Sequence, residues 1–402
     1  MAAGDIYKLR LENIASGGDA VGRLNGKTVF VEGGAPDETI HCRIIEENKN
    51  WARAELLEIT EPSFSRIKSA CSFYGKCGGC NLQHIDYDTQ LKVKTNILTD
   101  SFLRIGELKT PEIEVIPSPQ WGYRNRMQFH CLRERVKNSN SPKFGLKGRR
   151  SGEIAAVTDC LIAVQEIREV LKQDCSKRDS SSHNANAVSI PPEKDRFTIF
   201  AKDGVLLNEG GIQKGKINLL EKEIILDAGV FFQSNCTMLE KLILELLKTA
   251  EGVNRNLPMA DLYCGIGTFA FFLAGMFPKV ILAEENKSAV SHARENLKGV
   301  NAELFALRDT DWQKTIFKEQ NKLSGAFGFA VVDPSRAGLA QKFASALQRD
   351  GPAVLAYVSC DAAALARDAK ILTAGGYKLN KLTLFDFYPQ TSHIESLAVF
   401  ER

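Results

Sequence analysis

Long apolar runs are missing from this sequence. It contains no stretch of about eighteen apolar residues, whereas a helix needs about twenty to cross a bilayer. The first ten residues, MAAGDIYKLR, also lack the apolar core of a secretory signal. We therefore expect a cytoplasmic protein without a membrane span.

A disulfide framework is not expected either, because such frameworks are typical of short secreted chains. Three of the 10 cysteines instead crowd into the segment CSFYGKCGGC, as Cys71, Cys77 and Cys80. Glycine lets the backbone wrap closely around a centre, and thiolates at this density can converge on one metal site. The 6 histidines show no ligand spacing. The sequence thus predicts a metal site built on these three cysteines, with zinc as an alternative to an iron–sulfur cluster.

The charge is small overall but uneven along the chain. The 402 residues carry a net charge of +3, yet residues 121–150 hold nine Lys or Arg against the single acid Glu134. Aromatic residues interleave with these cations, which suits base stacking beside phosphate contacts. We expect this block to bind single-stranded or loop RNA, although a solvated basic surface would have the same composition. The RNA-binding candidates are Arg124, Asn125, Arg126, Lys147 and Arg149.

Three domains are expected from the length and the changes of pattern. Residues 1–61 show five short strands with tight turns, which predict a small closed barrel. Residues 62–228 form a β-rich central domain, interrupted by a polar stretch at 173–195. Residues 229–402 alternate helices with apolar strands, the pattern of a doubly wound, Rossmann-like α/β domain.

A nucleotide cofactor site is predicted at the start of the third domain. The segment PMADLYCGIGTFAFFLAG reads as strand, loop and helix, with Gly265 and Gly267 letting a ligand approach the backbone. Glu284 ends the next strand, where it can accept hydrogen bonds from ribose hydroxyls. The spacing also satisfies a permissive dinucleotide fingerprint. Asp261 favours a cationic methyl donor instead, because a carboxylate beside the loop suits a sulfonium and not a pyrophosphate.

Two later strands end in reactive residues. Asp333 follows GAFGFAVV, and Cys360 follows PAVLAYVS. Both should face the crevice at the carboxyl ends of the strands, which makes Cys360 a candidate nucleophile or an inert buried thiol. Glu395 is placed between two apolar strands, as a solvated loop acid or as a base in the same crevice.

A cysteine and a carboxylate together suit methylation of uridine at carbon 5. That carbon is a poor nucleophile until a thiolate adds to carbon 6. A base must then remove the hydrogen from carbon 5 before the thiolate can leave. Cys360 and Glu395 fill these roles, with the target base extruded from its stack.

These motifs resemble the RNA 5-methyluridine methyltransferases, in the branch with an N-terminal TRAM barrel and a four-iron cluster. The resemblance covers essentially the whole chain. It implies S-adenosylmethionine as cofactor, a [4Fe–4S] cluster with Cys160 as fourth ligand, and cofactor contacts by Gln233, Tyr263, Glu284 and Asp333. Tyr123-Arg124-Asn125 matches a motif of the central domain. The sequence departs from the family at Asp37, where glycine is usual, and at Ser335, where a second proline is usual.

The resemblance implies a structured RNA substrate, 23S rRNA first and transfer RNA as the alternative, and we expect a monomer. Two other classes stay open on the sequence: a nicotinamide-dependent, cluster-containing oxidoreductase, and a non-catalytic RNA-binding or iron-sensing protein. The remaining cysteines are expected to be ordinary thiols: Cys42, Cys131, Cys175, Cys236 and Cys264.

Overall fold

The structure is a computed structural model that describes residues 2–131, 144–172, 194–312 and 327–402. The chain divides into two compact units. The first unit comprises Met1–Leu98, Leu146–Val157 and Tyr388–His393, and the second comprises Thr99–Gly145, Thr158–Phe387 and Ile394–Arg402. Most of the polar stretch expected at 173–195 lies outside the described residues.

The described residues form twenty strands and seven α-helices. The strands are β1 (Ile6–Ile14), β2 (Ala20–Leu24), β3 (Lys27–Val31), β4 (Thr39–Glu47), β5 (Trp51–Glu61), β6 (Ile113–Ile116), β7 (Arg126–Cys131), β8 (Phe144–Lys147), β9 (Ile154–Ala155), β10 (Arg196–Lys202), β11 (Val205–Asn208), β12 (Lys214–Leu219), β13 (Lys222–Asp227), β14 (Met259–Leu262), β15 (Val280–Glu284), β16 (Ala302–Ala306), β17 (Phe329–Val332), β18 (Val354–Ser359), β19 (Lys378–Phe385) and β20 (Glu395–Glu401). The helices are α1 (Tyr87–Ser101), α2 (Gln165–Lys172), α3 (Cys236–Glu251), α4 (Thr268–Leu273), α5 (Lys287–Asn296), α6 (Gln341–Asp350) and α7 (Ala362–Ala374).

The first unit contains a closed five-stranded barrel in the order β1-β2-β3-β5-β4. Its strands alternate buried and exposed residues, as in β1, where the exposed Arg10 lies between the buried Leu9 and Leu11, because successive side chains of a strand point to opposite faces. A Cβ on Gly22 would lie 2.4 Å from the backbone oxygen of Arg10, so glycine lets β1 and β2 approach closely. The barrel predicted from residues 1–61 is confirmed.

The second unit contains an eight-stranded sheet in the order β16-β15-β14-β17-β18-β20-β19-β6. The five strands from β16 to β18 run parallel to one another, and β20 pairs with β18 and β19 in antiparallel fashion. Strand β14 is buried along its whole length, as expected for a central parallel strand covered on both faces. The predicted α/β class is therefore confirmed.

Side-chain caps begin three helices of this unit. Asn235, Asn286 and Asp361 each accept a hydrogen bond from a backbone N–H in the first turn that follows. Such caps satisfy donors that have no partner inside the helix. Each cap therefore fixes its loop at the point where the helix begins.

Smaller β elements complete the second unit. β7 pairs with β10, and β10 pairs with β11, while β12 and β13 form a two-stranded hairpin. Phe129, Phe144 and Phe197 form an aromatic cluster with ring centroids 5.1–5.8 Å apart. No helix in the described part of the chain is both long and apolar enough to cross a membrane.

Candidate active site

The candidate site lies at the carboxyl edge of the parallel strands in the second unit. Strands β14, β15, β17 and β18 end there, and open α/β sheets bind their ligands at this edge. The sequence positions Tyr263, Glu284, Asp333 and Cys360 at or directly after these strand ends. Parallel register therefore brings residues nearly one hundred positions apart to one edge.

The glycine loop after β14 uses a backbone that side chains rarely adopt. Tyr263, Gly265 and Gly267 have φ values of 64°, 55° and 79°. A Cβ on Gly267 would lie 3.2 Å from Ala293, so that glycine permits close packing on α5. Gly265 faces open space instead, because a Cβ at this position would have no atom within 4 Å. A ligand can thus approach the backbone at Gly265.

Glu284 holds this loop. Its two carboxylate oxygens accept hydrogen bonds from the backbone N–H of Gly265 at 3.1 Å and of Asn286 at 2.7 Å. The carboxylate lies beside the loop where the sequence placed a ribose contact. Each oxygen retains a second lone pair for such a hydrogen bond.

Asp261 is fully buried. Its Oδ2 accepts a hydrogen bond from the N–H of Ala270 at 2.8 Å, while Oδ1 is buried without a partner. Desolvation raises the pKa of Asp261 to about 7, the nearby Glu284 charge adds to the rise, and the Ala270 hydrogen bond opposes it. A buried oxygen without a partner beside a glycine loop indicates a place for a polar ligand.

Gln233 and Asp333 form a second polar group. Desolvation raises the pKa of Asp333 to about 7, the Asp261 charge adds to the rise, and the Gln233 side chain opposes it as a hydrogen-bond donor. The Oε1 of Gln233 is buried without a hydrogen-bond partner. The Asp261 charge therefore acts on Asp333, and a bound cation near these carboxylates would offset that repulsion.

Cys360 and Glu395 are brought together by strand pairing. β18 and β20 are antiparallel, with Ser359 opposite Ser396. Cys360 and Glu395 occupy the next position beyond this pair, where neighbouring strands place side chains about 5 Å apart. Desolvation raises the pKa of the Cys360 thiol to about 12, the charges of Glu395 and Asp333 adding to the rise.

Glu395 is the first residue of β20 and is 2% exposed, so it is not a solvated loop acid. Its Oε1 is buried without a hydrogen-bond partner. Desolvation raises the pKa of Glu395 well above its ordinary value, and the Asp333 charge adds to the effect. The carboxyl is poised to hold a proton.

Arg336 acts electrostatically on both reactive groups. Its charge lowers the pKa of the Cys360 thiol and of Glu395 against the stronger effect of desolvation. No role was predicted for Arg336 from the sequence. Its position in the loop after β17, three residues beyond Asp333, is the local signal that points to it.

Tyr263 is largely engaged by the protein itself. Its hydroxyl donates to Asp309 Oδ2 at 3.0 Å, and its ring meets the ring of Trp312 edge-on at 4.5 Å. Its hydroxyl is therefore committed, and a cofactor contact by Tyr263 would come from the ring or the backbone.

Two of the RNA-binding candidates are not free surface groups. Asn125 is 6% exposed, and its amide bonds to the backbone of Ala201 and Cys236. Arg149, in the first unit, pairs with Asp19 at 2.9 Å and with Glu32 at 3.1 Å. Long-range partners occupy both side chains, and RNA contact at these two positions stays a prediction.

The other candidates are more accessible. Lys147 is exposed, and Arg124 and Arg126 are half-buried. The guanidinium of Arg126 lies 5.8 Å from the ring centroid of Phe231, which is 64% exposed. Four further cations of the basic block lie outside the described residues: Arg133, Arg135, Lys137 and Lys143.

The predicted metal site finds no support. Within the described ranges, no group of three or more His, Cys, Asp or Glu side chains could hold a metal ion. Cys71, Cys77 and Cys80 belong to the first unit, and Cys160 belongs to the second. Hydrogen bonds organise the segment locally, as the N–H of Gly79 donates to Cys77 Sγ at 3.4 Å.

Three of the remaining thiols behave as expected. Cys42, Cys236 and Cys264 are buried, and burial raises the pKa of each. Buried thiols of this kind are unreactive. Cys131 is half-buried, and Cys175 lies outside the described residues.

The sequence matches family models and known proteins along most of its length. A family model described as tRNA (Uracil-5-)-methyltransferase matches residues 213–402, and the TRAM domain model matches residues 3–57. An uncharacterized RNA methyltransferase of Aquifex aeolicus is 32% identical, with 98% of each chain covered. The 23S rRNA (uracil(1939)-C(5))-methyltransferase RlmD of Shewanella halifaxensis is 28% identical, with 96% of this chain and 93% of that protein covered.

A solved structure shares the fold over the whole chain. The Pyrococcus abyssi tRNA (uracil-54, C5)-methyltransferase, solved in complex with S-adenosyl-L-homocysteine, superposes with a TM-score of 0.71 and 22% identity, covering 98% of this chain and 100% of that one. With a relative 32% identical over 98% of the chain, and a uracil-5-methyltransferase model matching residues 213–402, the chain belongs to the RNA uracil-5-methyltransferase family.

Proposed function

We propose that this enzyme transfers a methyl group from S-adenosylmethionine to carbon 5 of a uridine in structured RNA, through a covalent bond between Cys360 and carbon 6. The observation that carries this proposal is the cross-strand placement of Cys360 beside Glu395 at the edge that also holds Asp261 and Asp333. Family membership sets aside the oxidoreductase alternative.

The chain's own residues supply two steps. The Cys360 sulfur adds to carbon 6, and the carbon 5–carbon 6 π pair becomes the nucleophile at carbon 5. S-adenosylmethionine, when bound, supplies the electrophilic methyl group. Glu395 then takes the proton from carbon 5. The electron pair of the carbon 5–hydrogen bond re-forms the carbon 5–carbon 6 double bond, and the carbon 6–sulfur bond breaks to release the Cys360 thiolate.

Arg336 supports the thiolate form of Cys360. Addition requires a thiolate, yet desolvation and the neighbouring carboxylates raise the pKa of Cys360 to about 12. The positive charge of Arg336 opposes this rise. We therefore assign Arg336 to the stabilisation of negative charge at Cys360.

The residues of the site fit the cofactor. Asp261 and Asp333 offer negative charge to its cationic groups, and the buried Oδ1 of Asp261 and Oε1 of Gln233 lack partners that a ligand can supply. Glu284 can accept from the ribose hydroxyls. Gly265 leaves open space where a ligand can contact the backbone.

The RNA target is proposed as 23S rRNA. The Shewanella halifaxensis relative carries that activity in its name and aligns over 96% of this chain. Phe231 lies two residues from Gln233. Its ring is exposed and contacts the guanidinium of Arg126, which suits stacking of an extruded base. Transfer RNA is the second candidate, because the matching family model is described by that substrate.

Mapping of 5-methyluridine tests the proposal. Deletion of the gene should remove the modification from one or more positions of 23S rRNA, and a Cys360→Ala copy should not restore it. Loss confined to transfer RNA would favour the second candidate. An unchanged map in both RNAs would overturn the proposed activity.

The iron–sulfur cluster stays a prediction from the cysteine spacing and the family resemblance. Four thiolates suit such a cluster chemically, but the described residues do not gather into a ligand group. No reaction step is therefore assigned to it. Analysis of iron, acid-labile sulfide and zinc in anaerobically purified protein decides between cluster, zinc and no metal.

A further inference from the structure

Asn125 forms hydrogen bonds with all four kinds of polar group that it has. Its backbone N–H donates to Ser234 O at 2.7 Å, and its backbone oxygen accepts from the N–H of Ala201 at 2.8 Å. Its side-chain Nδ2 donates to Ala201 O at 2.8 Å, and its Oδ1 accepts from the N–H of Cys236 at 2.9 Å. Asn125 thereby ties β10 to the segment from Ser234 to Cys236.

That segment carries the glutamine of the cofactor site. Gln233 immediately precedes Ser234, so Asn125 fixes the backbone on the carboxyl side of Gln233 at two points. The next residue, Asn235, is also anchored, because its Nδ2 donates to Ser118 Oγ at 3.1 Å and to Phe387 O at 3.0 Å. The segment is thus held in place by contacts outside itself.

The backbone position of Gln233 determines where its side-chain amide lies in the site. The Gln233 side chain lowers the pKa of Asp333, and its Oε1 is buried without a hydrogen-bond partner. An amide in that position binds a ligand well only if its backbone cannot shift, because a displacement of about 1 Å loses a hydrogen bond. The anchoring therefore bears on affinity.

We infer that Asn125 is a positioning residue for Gln233, and that its role in the reaction is to hold the cofactor site and not to contact RNA. This inference rests on the proposed assignment of Gln233 to S-adenosylmethionine. The Tyr123-Arg124-Asn125 motif thus has a second role beside the predicted RNA binding. Through Asn125 it connects the basic block by hydrogen bonds to the segment that contains Gln233.

Calorimetric binding of S-adenosylhomocysteine to the full-length protein tests the inference. We expect Asn125→Ala to weaken binding by about tenfold, or about 1.4 kcal/mol, with the dissociation constant for 23S rRNA transcript unchanged. Because Asn125 acts through Gln233, the double variant with Gln233→Ala should bind no more weakly than Gln233→Ala alone.

Two further variants separate positioning from folding. Asn208→Ala removes another buried asparagine of the second unit, whose Oδ1 accepts from Gly210 at 3.0 Å, and should lower stability without changing affinity for S-adenosylhomocysteine. Asn125→Asp keeps the shape and the acceptor for the Cys236 N–H, and only its protonated form can donate to Ala201 O, so its affinity relative to the wild type should rise as the pH falls. It also serves if the alanine variant does not fold.

Several results would overturn the inference. Weaker RNA binding with unchanged affinity for S-adenosylhomocysteine would return Asn125 to the RNA contacts. Additive losses in the double variant would show that Asn125 does not act through Gln233. Wild-type protein that binds no S-adenosylhomocysteine would remove the cofactor role of Gln233 and this inference with it, whereas wild-type protein that binds it but methylates no RNA contradicts the proposed function alone.

Discussion

At the scale of single residues, the reactive groups are held uncharged by their surroundings. Desolvation raises the pKa of Cys360 to about 12 and that of Glu395 well above its ordinary value. Both groups need help to gain their charged form, and the charge of Arg336 stabilises that form in each case. Substitutions at these residues should therefore separate the steps of the reaction.

Glu395→Gln should stall the reaction after the methyl transfer. The amide keeps the shape of the side chain but cannot take the proton from carbon 5, so the Cys360–carbon 6 bond cannot break. We expect turnover to fall about 10²- to 10⁴-fold, with a covalent protein–RNA band on denaturing gels. Cys360→Ala is the control and should give no band. Near-normal turnover of Glu395→Gln would exclude Glu395 as the base.

Asp261 should couple stability and cofactor binding to pH in opposite directions. Its pKa is raised to about 7 in the folded protein, so its protonated form is favoured by folding. This stabilisation is complete below about pH 4 and is lost as the pH rises through about 7. Binding of the cationic amino group of S-adenosylhomocysteine needs the charged form, so affinity should rise between pH 6 and pH 8.

Asp261→Asn tests both the predicted fall in stability and the predicted rise in affinity with pH. The amide should raise the melting temperature of the ligand-free protein at pH 8 and weaken binding of S-adenosylhomocysteine at that pH. The variant should also have a flatter dependence of stability on pH than the wild type. A lower melting temperature together with wild-type affinity would contradict the role given to this carboxylate.

At the scale of elements, helix α7 braces the loop that follows β17. The carboxylate of Asp368 is fully buried and accepts hydrogen bonds from Leu339 N–H and Tyr357 OH, both at 2.8 Å. Arg367 bonds to Ala337 O at 2.9 Å and to Asp368. This bracing holds the loop that contains Ser335, where the family has a second proline.

Asp368→Ala should therefore reduce both stability and turnover. Removal of the buried acceptor leaves Leu339 N–H and Tyr357 OH unpaired and should cost about 2–4 kcal/mol in urea unfolding. We expect kcat to fall because Arg336 and Asp333 lie in the released loop. Asp350→Ala, which breaks a surface pair with Arg349, is the matched control and should cost less than about 1 kcal/mol. Equal losses for the two variants would contradict the bracing.

The elements and the site edge were predictable because their signals are local. Alternating and continuous apolar runs predicted the barrel and the parallel strands, and strand ends placed Asp333 and Cys360 at one edge. The hydrogen-bond partners of Asn125 and Arg149 were not predictable, because they lie far from these residues along the chain. Asn125 bonds to Ala201 and Cys236, and Arg149 bonds to Asp19, and no local pattern announces such pairs.

At the scale of the whole molecule, the basic block contributes less free charge than its composition suggests. In the first unit, Arg149 and Arg150 both pair with Asp19 and Glu32, so two of the cations are neutralised by carboxylates of the barrel region. Lys147, only two residues away, is exposed. Neighbouring cations in one segment thus have different roles.

RNA binding measured against salt concentration should separate these roles. Lys147→Ala should weaken binding and reduce the slope of log affinity against log salt by about 1, as expected for one lost phosphate contact. Arg149→Ala should leave the slope unchanged and destabilise the protein by about 1–3 kcal/mol, because buried Asp19 loses a partner. A reduced slope for Arg149→Ala would show that the residue contacts RNA.

The central claim is that Cys360 and Glu395 exchange a hydrogen for a methyl group at carbon 5 of uridine. Release of tritium from RNA labelled at carbon 5 of its uridines tests it most directly. Wild-type enzyme with S-adenosylmethionine should release one tritium for each methyl group incorporated, and Cys360→Ala should do neither. Methyl incorporation without tritium release would place the reaction at another atom and contradict the account.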